Sequence, residues 1–334
     1  MLSRLSYPQI LTIILIVLIA FFAIIIPNGV FLRPRVLLGT TTDVAYLGLM
    51  ALPMTLIILT GGIDLSVGFL MAASGMLCSM VFKMTGSLPL GILVALGAGL
   101  IGGALNGFIV SRTKIPPFIA TLGTMSIFNG ITWFVGGSHS FTSSSALVEI
   151  GSARFFGSLP SQLIVLVIMF LIFDFIHNRS TLGRYLHAIG YNENAVNFSG
   201  VNTQRVKFGI YTLSGFMCGF AALTFFGRSF EINSTTGLNM NIEVITMVVL
   251  GGTSVMGGVG TIRGTFIATL IVGVLRKGLS LMGASGDVYN FVLGGVLIVS
   301  LIAFAYLEAR KKIVSRTNAI KNLTESAVEN TAGK

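Results

Sequence analysis

The sequence predicts an all-α polytopic membrane protein with about ten transmembrane or re-entrant helices, and three observations support this class. The 334 residues are 54% hydrophobic and only 10% charged, whereas soluble domains are about a quarter charged. Apolar stretches of roughly 17 to 25 residues, long enough to cross a bilayer, recur along the whole chain. Cys78 and Cys218 both lie inside such stretches, so neither a disulfide framework nor a metal spacing is expected.

Hydropathy places ten apolar segments in order along the chain. They cover residues 9–26, 43–60, 66–82, 88–110, 117–135, 161–177, 208–227, 241–256, 264–282 and 288–307. The first segment lacks a small-residue cleavage site, so we expect it to be retained. The eighth is short and rich in glycine, and it either crosses or re-enters. This organisation predicts a transmembrane domain over residues 1–309 and a disordered polar tail over residues 310–334.

The distribution of Lys and Arg predicts the orientation. With the N-terminus inside, about 14 basic residues lie on the cytoplasmic side and about 7 on the other. This bias predicts a multi-pass membrane protein with both termini in the cytoplasm. The net charge of +10 comes from short clusters beside the spans. Such clusters fit membrane lipid as a partner and argue against nucleic acid, which needs one basic face.

Two stretches interrupted by glycine stand out. IILTGGIDLSVG carries Gly61 and Gly62, and VLGGTSVMGGVG carries Gly251, Gly252, Gly257 and Gly258. Paired interruptions of this kind in two halves of a chain mark the working centre of many transporters. They are consistent with an internal repeat of two halves, although a chain with 41 glycines also allows chance pairing.

Asp64, which follows the first glycine pair, has three open roles. It can cap a helix that begins near Leu65, contact the transported solute, or couple an ion or proton to transport. A carboxylate at membrane depth usually faces a bundle interior or a water-filled cavity. We therefore expect Asp64 and nearby Ser66 to border the translocation path.

Further polar side chains lie on neighbouring apolar segments. Asn106 lies in GALNGFIV, Thr121 and Thr124 lie in IPPFIATLGTM, and Thr253 lies in the second glycine stretch. Such hydroxyl and amide groups either line a polar path or bond between packed helices. Both interpretations stay open for these residues.

The polar connection 177–207 is long and falls on the cytoplasmic side. Its stretch from about Arg184 to Ser199 has few helix breakers and predicts one or two short helices. A short amphipathic helix there is well placed to dock into a soluble partner. The alternative is an ordinary solvated loop.

Motifs for catalysis are absent from the sequence. It has no Walker-type loop ending in Gly-Lys-Ser/Thr, no His-Glu-x-x-His and no Gly-x-Ser-x-Gly. We therefore expect a chain that is not an enzyme and that needs neither a cofactor nor a metal.

The chain resembles the permease subunits of bacterial ABC importers for monosaccharides, the ribose-type family. The stretches that carry the resemblance are GGIDLSVG, NG at 106–107, IPPFIATLGTM, TLGRYLHAIGYNENAVNFSGVN and VVLGGTSVMGGVGTIRGT. ALPMTLIILTGGIDLS is also similar to autoinducer-2 importers. One departure is Phe198, which is bulky where the family favours a small residue.

The resemblance implies a dimer of permease chains, identical or not, that imports a monosaccharide or similar polyol-like solute. It also implies a separate cytoplasmic ATPase subunit and a periplasmic or lipid-anchored sugar-binding protein. The segment 181–202 would seat on the ATPase. The residues that fall on this coupling segment are Gly183, Arg184, Gly190, Asn192, Asn194, Ser199 and Gly200.

Two other classes of transporter remain open from the residues alone. A secondary transporter would use Asp64 to couple a proton or a sodium ion, with Glu243 as a second acid. A passive channel would need no soluble partner, and the elaborate inner connection argues against it.

Overall fold

A computed structural model of the chain describes residues 6–142, 144–226 and 228–302. The long helices are α1 Tyr7–Ile25, α2 Pro34–Leu59, α3 Val67–Thr85, α4 Leu88–Arg112, α5 Pro117–Gly136, α7 Ser161–Arg179, α8 Thr181–Phe198, α9 Thr203–Phe226 and α11 Ile262–Leu281. Shorter ones are α6 Ser145–Ser152, α10 Met240–Leu250 and α12 Gly286–Ile302, and Pro27–Gly29 forms a 3-10 turn. Four two-residue strands complete the described part: β1 Phe141–Thr142, β2 Arg154–Phe155, β3 Leu159–Pro160 and β4 Glu231–Ile232.

The predicted class is confirmed, because eight of these helices are long and apolar enough to cross a membrane. They are α1 to α5, α7, α9 and α11. The two remaining predicted segments correspond to α10, which is shorter, and to α12, whose described part covers Gly286–Ile302. The predicted tail 310–334 lies outside the described residues.

Helix α2 is the centre of the bundle. Every residue from Val44 to Thr60 is buried, which a helix facing lipid or water on one side cannot achieve. The helix is surrounded by α7, α8, α9, α10 and α11. By contrast α1 packs on α11 and exposes most of its apolar surface, as expected for a helix facing lipid.

Helices α4 and α9 approach each other so closely that their backbones touch. Gly99 and Gly103 of α4 face Gly215 and Gly219 of α9. A Cβ at Gly103 would lie 2.5 Å from Tyr211 O and 2.7 Å from Gly215 Cα. Small residues spaced by four allow this approach, on which helix association in membranes depends.

Replacing Gly103 by alanine is therefore expected to push α4 and α9 apart and to lower the melting temperature of the purified chain in detergent. Overpacking of this kind costs about 1–3 kcal/mol. Gly97→Ala on the same helix is the matched control, because nothing lies within 4 Å of a Cβ there. Equal melting temperatures for the two variants would contradict the close-packing argument.

One end of the bundle carries α8, and we call it the α8 end. There α4 and α7 end and α9 begins, since Gly107 of α4 faces Phe208 of α9 and Gly183 of α8 packs on His177 of α7. The opposite end carries α6 and the strands, where β1 pairs antiparallel with β4 and β2 with β3.

The eighth predicted segment is a half-length helix. The 11 residues of α10 extend about 16 Å, roughly half of a hydrocarbon core. The chain before it reaches into the bundle, where Gly237 packs on the backbone of Gly68. In the first turn of α10, Glu243 contacts Arg276 and Tyr289 at 3.4 and 2.9 Å.

Candidate functional site

The chain turns back into the bundle after α2. Leu59 ends the helix beside α8, and Gly61 continues with φ +77°, a conformation that favours glycine. Gly62 packs against the hydroxyl group of Tyr211, whose oxygen would be 2.6 Å from a Cβ. The predicted helix break is therefore present at both glycines.

Asp64 lies inside the bundle, in this break. Its contact Asn106 is six residues from the end of α4, about 9 Å along the helix. Ser66 N and Ser66 Oγ both donate to Asp64 Oδ1, at 2.9 and 2.7 Å. Asn106 Nδ2 donates to Ser66 Oγ at 2.7 Å and to Asp64 Oδ2 at 3.4 Å.

Of the three roles left open for Asp64, capping of a helix that begins near Leu65 is not the one that the structure shows. Helix α3 begins at Val67, and its N-cap is Ser66. Asp64 instead accepts the backbone N–H of the residue two positions ahead, which closes a tight turn before the helix. The carboxylate thus stabilises the turn and does not accept hydrogen bonds from the first backbone amides of α3.

Thr121 holds the same break from α5. Its Oγ1 accepts from Leu65 N at 3.1 Å and donates to Ile63 O at 3.0 Å. Thr124, one turn further along α5, donates to Thr121 O at 3.2 Å. The hydroxyl of Thr121 therefore satisfies backbone groups that the interrupted helix leaves unpaired.

The structure brings four of the six predicted path residues together and leaves them closed to solvent. Asp64, Ser66, Asn106 and Thr121 form the cluster, Thr124 is adjacent, and Thr253 belongs to the second glycine stretch. None of the six is more than 2% exposed. Their role in a translocation path stays a prediction.

The second glycine stretch forms a loop, residues 251–261, which we call the glycine loop. Gly258 N donates to Leu59 O at 2.9 Å, and Gly257 packs on the backbone of Gly61. Gly251 packs on Gly264 and Thr265 of α11. The two glycine stretches therefore meet at the end of α2, and whether they belong to two repeated halves stays a prediction.

Helix α8 lies across this meeting point. It is capped by Ser180, whose Oγ accepts from Gly183 N at 3.3 Å. It is interrupted at Asn192, whose backbone is extended and whose Oδ1 accepts from Ala195 N at 3.0 Å. The sequence thus folds here as two short helices, as predicted.

The small residues of α8 face the bundle. A Cβ at Gly183 would overlap His177 O, and one at Gly190 would overlap both Leu59 O and Gly258 N. Leu186 and Ile189 are buried on the same side. Two of the seven predicted coupling residues, the glycines at 183 and 190, therefore seat α8 on the bundle rather than face a partner.

The other side of α8 is exposed and rich in polar and aromatic groups. Five predicted coupling residues are exposed here: Arg184, Asn192 and Asn194 on α8, and Ser199 and Gly200 directly after it. Tyr191 and Phe198 accompany them, 71% and 93% exposed. Since Phe198 points away from the bundle, its bulk does not disturb the seating of α8. We call this side of α8 the outer face.

Two histidines that sequence reasoning missed connect α7, α8 and the glycine loop. The Nε2 atoms of His177 and His187 lie 3.0 Å apart, and His187 Nδ1 donates to Gly258 O at 2.7 Å. A further contact joins α9 to α8: Lys207 Nζ forms an ion pair with Glu193 Oε2 at 2.6 Å. The chain has three histidines, but nothing in the spacing of these two indicates that they meet.

The geometry of this region is that of a joint rather than a catalytic or open binding site. It connects an exposed amphipathic helix to the ends of α2 and α11 through backbone contacts. The described residues contain no cluster of three metal-binding side chains.

The comparison with known families identifies the class. Residues 36–301 match the family described as the branched-chain amino acid transport system permease component. The chain belongs to this family and is a multi-pass transport permease.

Individual relatives are similar to this chain over most of its length. The chain is 36% identical over 301 residues to the ribose import permease protein of Bacillus subtilis, covering 89% of this chain and 91% of the relative. It is 34% identical over 302 residues to the fructose import permease protein of Rhizobium meliloti, covering 88% and 83%. It is 30% identical over 306 residues to an autoinducer 2 import system permease protein of Salmonella paratyphi A, covering 90% and 91%.

These relatives confirm the resemblance to permeases of ribose-type importers. No solved structure matches the chain.

Proposed function

We propose that this chain is the transmembrane permease subunit of an ABC importer for a monosaccharide or similar polyol-like solute. A separate ATPase would drive it from the cytoplasm, a binding protein would deliver the solute outside, and a second permease chain would complete the pore. The names of the similar permeases support the solute class, since they import ribose, fructose and autoinducer 2.

The observation that carries the proposal is the position of α8. Its buried side rests on α2 and the glycine loop, while its outer face offers Arg184, Tyr191 and Phe198. Exposed aromatic and arginine side chains are the groups most enriched at protein interfaces. An ATPase seated on the outer face would therefore act directly on the end of the central helix.

The charges support a cytoplasmic position for the α8 end. Counted along the whole sequence, about 14 basic residues fall on this side and about 7 on the other, and the excess comes from the two terminal segments. This is the bias expected for cytoplasmic connections. Both termini would then lie in the cytoplasm of a cell whose inner membrane holds the chain.

The ion-coupled alternative finds less support. It needs a second acid near Asp64, but Glu243 is paired with Arg276 and bonded to Tyr289. An acid that is already neutralised is a poor coupling group. Vesicles that contain only this chain are expected to show no uptake when a proton or sodium gradient is imposed, and gradient-driven uptake would overturn the proposal.

Charge reversal at Arg184 is expected to disrupt docking of the ATPase. Losing one central interface contact costs about 2 kcal/mol or more, roughly a thirtyfold loss of affinity. The measurement is recovery of an ATPase subunit with the tagged Arg184→Glu chain from its native host. Arg154→Glu, an exposed residue of the opposite end, is the control. Equal recovery with both variants would show that α8 is not the docking element.

A further inference from the structure

The groove between α4 and α9 opens at the α8 end into a cavity of about 490 Å³. Its wall combines charged, polar and aromatic side chains: Phe108, Ser111 and Arg112 from α4, Asn202 just before α9, and Gln204, Arg205 and Phe208 from α9. It is separate from the joint formed by α8 and the glycine loop.

The charge of this cavity is positive and uncompensated. Arg112 and Arg205 line it without any acidic side chain, and neither is among the ion pairs of the described residues. The planar guanidinium group matches phosphate oxygens with two parallel hydrogen bonds. Asn202 Oδ1 accepts from Arg205 N at 2.9 Å, and its NH₂ group can only donate, which suits an anion.

An apolar track leads away from the cavity along α4. Phe108, Leu105 and Ile101 precede Arg112 at helical spacing, so all four lie on one side of the helix. The three apolar side chains are exposed, Phe108 by 58% and Ile101 by 71%. From Ile101 to Arg112 the helix rises about 16 Å, close to half of a hydrocarbon core of about 30 Å.

We propose that this cavity binds the headgroup of an anionic phospholipid. The arginines at 112 and 205 hold its phosphate, and its acyl chain lies along Phe108, Leu105 and Ile101. A free phosphate ion would use the same arginines but would leave the apolar track uncovered. The proposal does not depend on the solute or on the direction of transport, because it needs only that the α8 end lies at a membrane surface.

The experiment counts the lipids that remain on the protein. The chain is reconstituted in nanodiscs of phosphatidylcholine with a minor fraction of phosphatidylglycerol. The protein is then released from the nanodiscs, and native mass spectrometry gives its mass together with the lipids that stay bound. We expect phosphatidylglycerol to be retained well above its fraction in the bilayer. In Arg112→Gln/Arg205→Gln this excess is expected to fall, by roughly fivefold for each arginine removed.

The matched control is Arg33→Gln/Arg35→Gln, which removes the same charge from exposed positions at the opposite end. It is expected to retain the excess, and an equal loss in both double variants would overturn the proposal. A charge-preserving variant, Arg112→Lys/Arg205→Lys, is expected to retain an intermediate amount.

A second part of the experiment distinguishes binding of the lipid from binding of free phosphate. Millimolar inorganic phosphate is expected to leave the bound phosphatidylglycerol in place, and Ile101→Ser/Leu105→Ser is expected to weaken its retention. Displacement of the lipid by inorganic phosphate, with no effect of the serine substitutions, would show an anion site without a lipid track and would overturn the proposal.

Discussion

Replacing Gly190 by alanine is expected to lower solute uptake by about tenfold or more. The added methyl group would overlap Leu59 O and Gly258 N, so α8 must move off the end of α2 and the glycine loop. Overpacking at such a point costs about 1–3 kcal/mol, and 1.4 kcal/mol corresponds to a tenfold change in an equilibrium. The measurement is ATP-driven uptake by vesicles that hold the whole importer, at matched amounts of this chain.

Gly209→Ala is the control for this variant. Gly209 lies in α9, and nothing is within 4 Å of a Cβ at this position, so uptake is expected to stay normal. If Gly190→Ala transports as well as the control, the contact between α8 and α2 does not transmit the movement, and the joint has no part in transport.

Substitution of Asp64 is the second change with a large expected effect. In Asp64→Asn the side-chain NH₂ group would face the donor Nδ2 of Asn106, so we expect a folded chain with impaired uptake. Asp64→Ala removes the acceptor for Ser66 N and Ser66 Oγ. Each buried donor left unpaired costs about 1–3 kcal/mol, so this variant is also expected to melt at a lower temperature.

Asp287→Asn is the matched control, because Asp287 is an exposed acid at the start of α12. It loses the same formal charge without leaving a buried group unpaired. Normal uptake by Asp64→Asn at normal expression would make the carboxylate dispensable for transport. Its role would then be limited to closing the turn before α3.

The pattern of apolar residues predicted the spans well because each span is a local property of the sequence. The expected break at Gly61 and Gly62 is present for the same reason, since glycine acts on its own backbone. The role of Asp64 was harder to predict. Whether an acid caps a helix or closes a turn depends on where the helix starts, and α3 starts two residues later than expected.

The contacts between segments that lie far apart in the chain could not be predicted from the sequence. His177 and His187 meet only because α8 folds back under α7, and the bond from Gly258 to Leu59 joins residues almost 200 positions apart. Thr121 was singled out in the sequence as a polar residue that either lines a path or bonds between helices. That it bonds the backbone on both sides of Asp64 follows from packing, which no spacing within α5 encodes.

The glycines of α8 illustrate the same limit. Gly183 and Gly190 fall on the coupling segment of the family that the chain resembles. On that ground alone they were assigned to the segment that seats on the ATPase. The structure places them on the opposite side, against the bundle. In the sequence, a glycine that faces the bundle cannot be told from one that faces a partner, because the difference depends on what packs around the helix.

The contact between Gly190, Leu59 and Gly258 has a mechanical consequence. Side chains that touch can change rotamer and so absorb part of a displacement, whereas backbone atoms in direct contact have no such freedom. The joint is therefore stiff. If a partner displaces α8, we therefore expect the end of α2 at Leu59 to move with it, with little of the displacement absorbed between them.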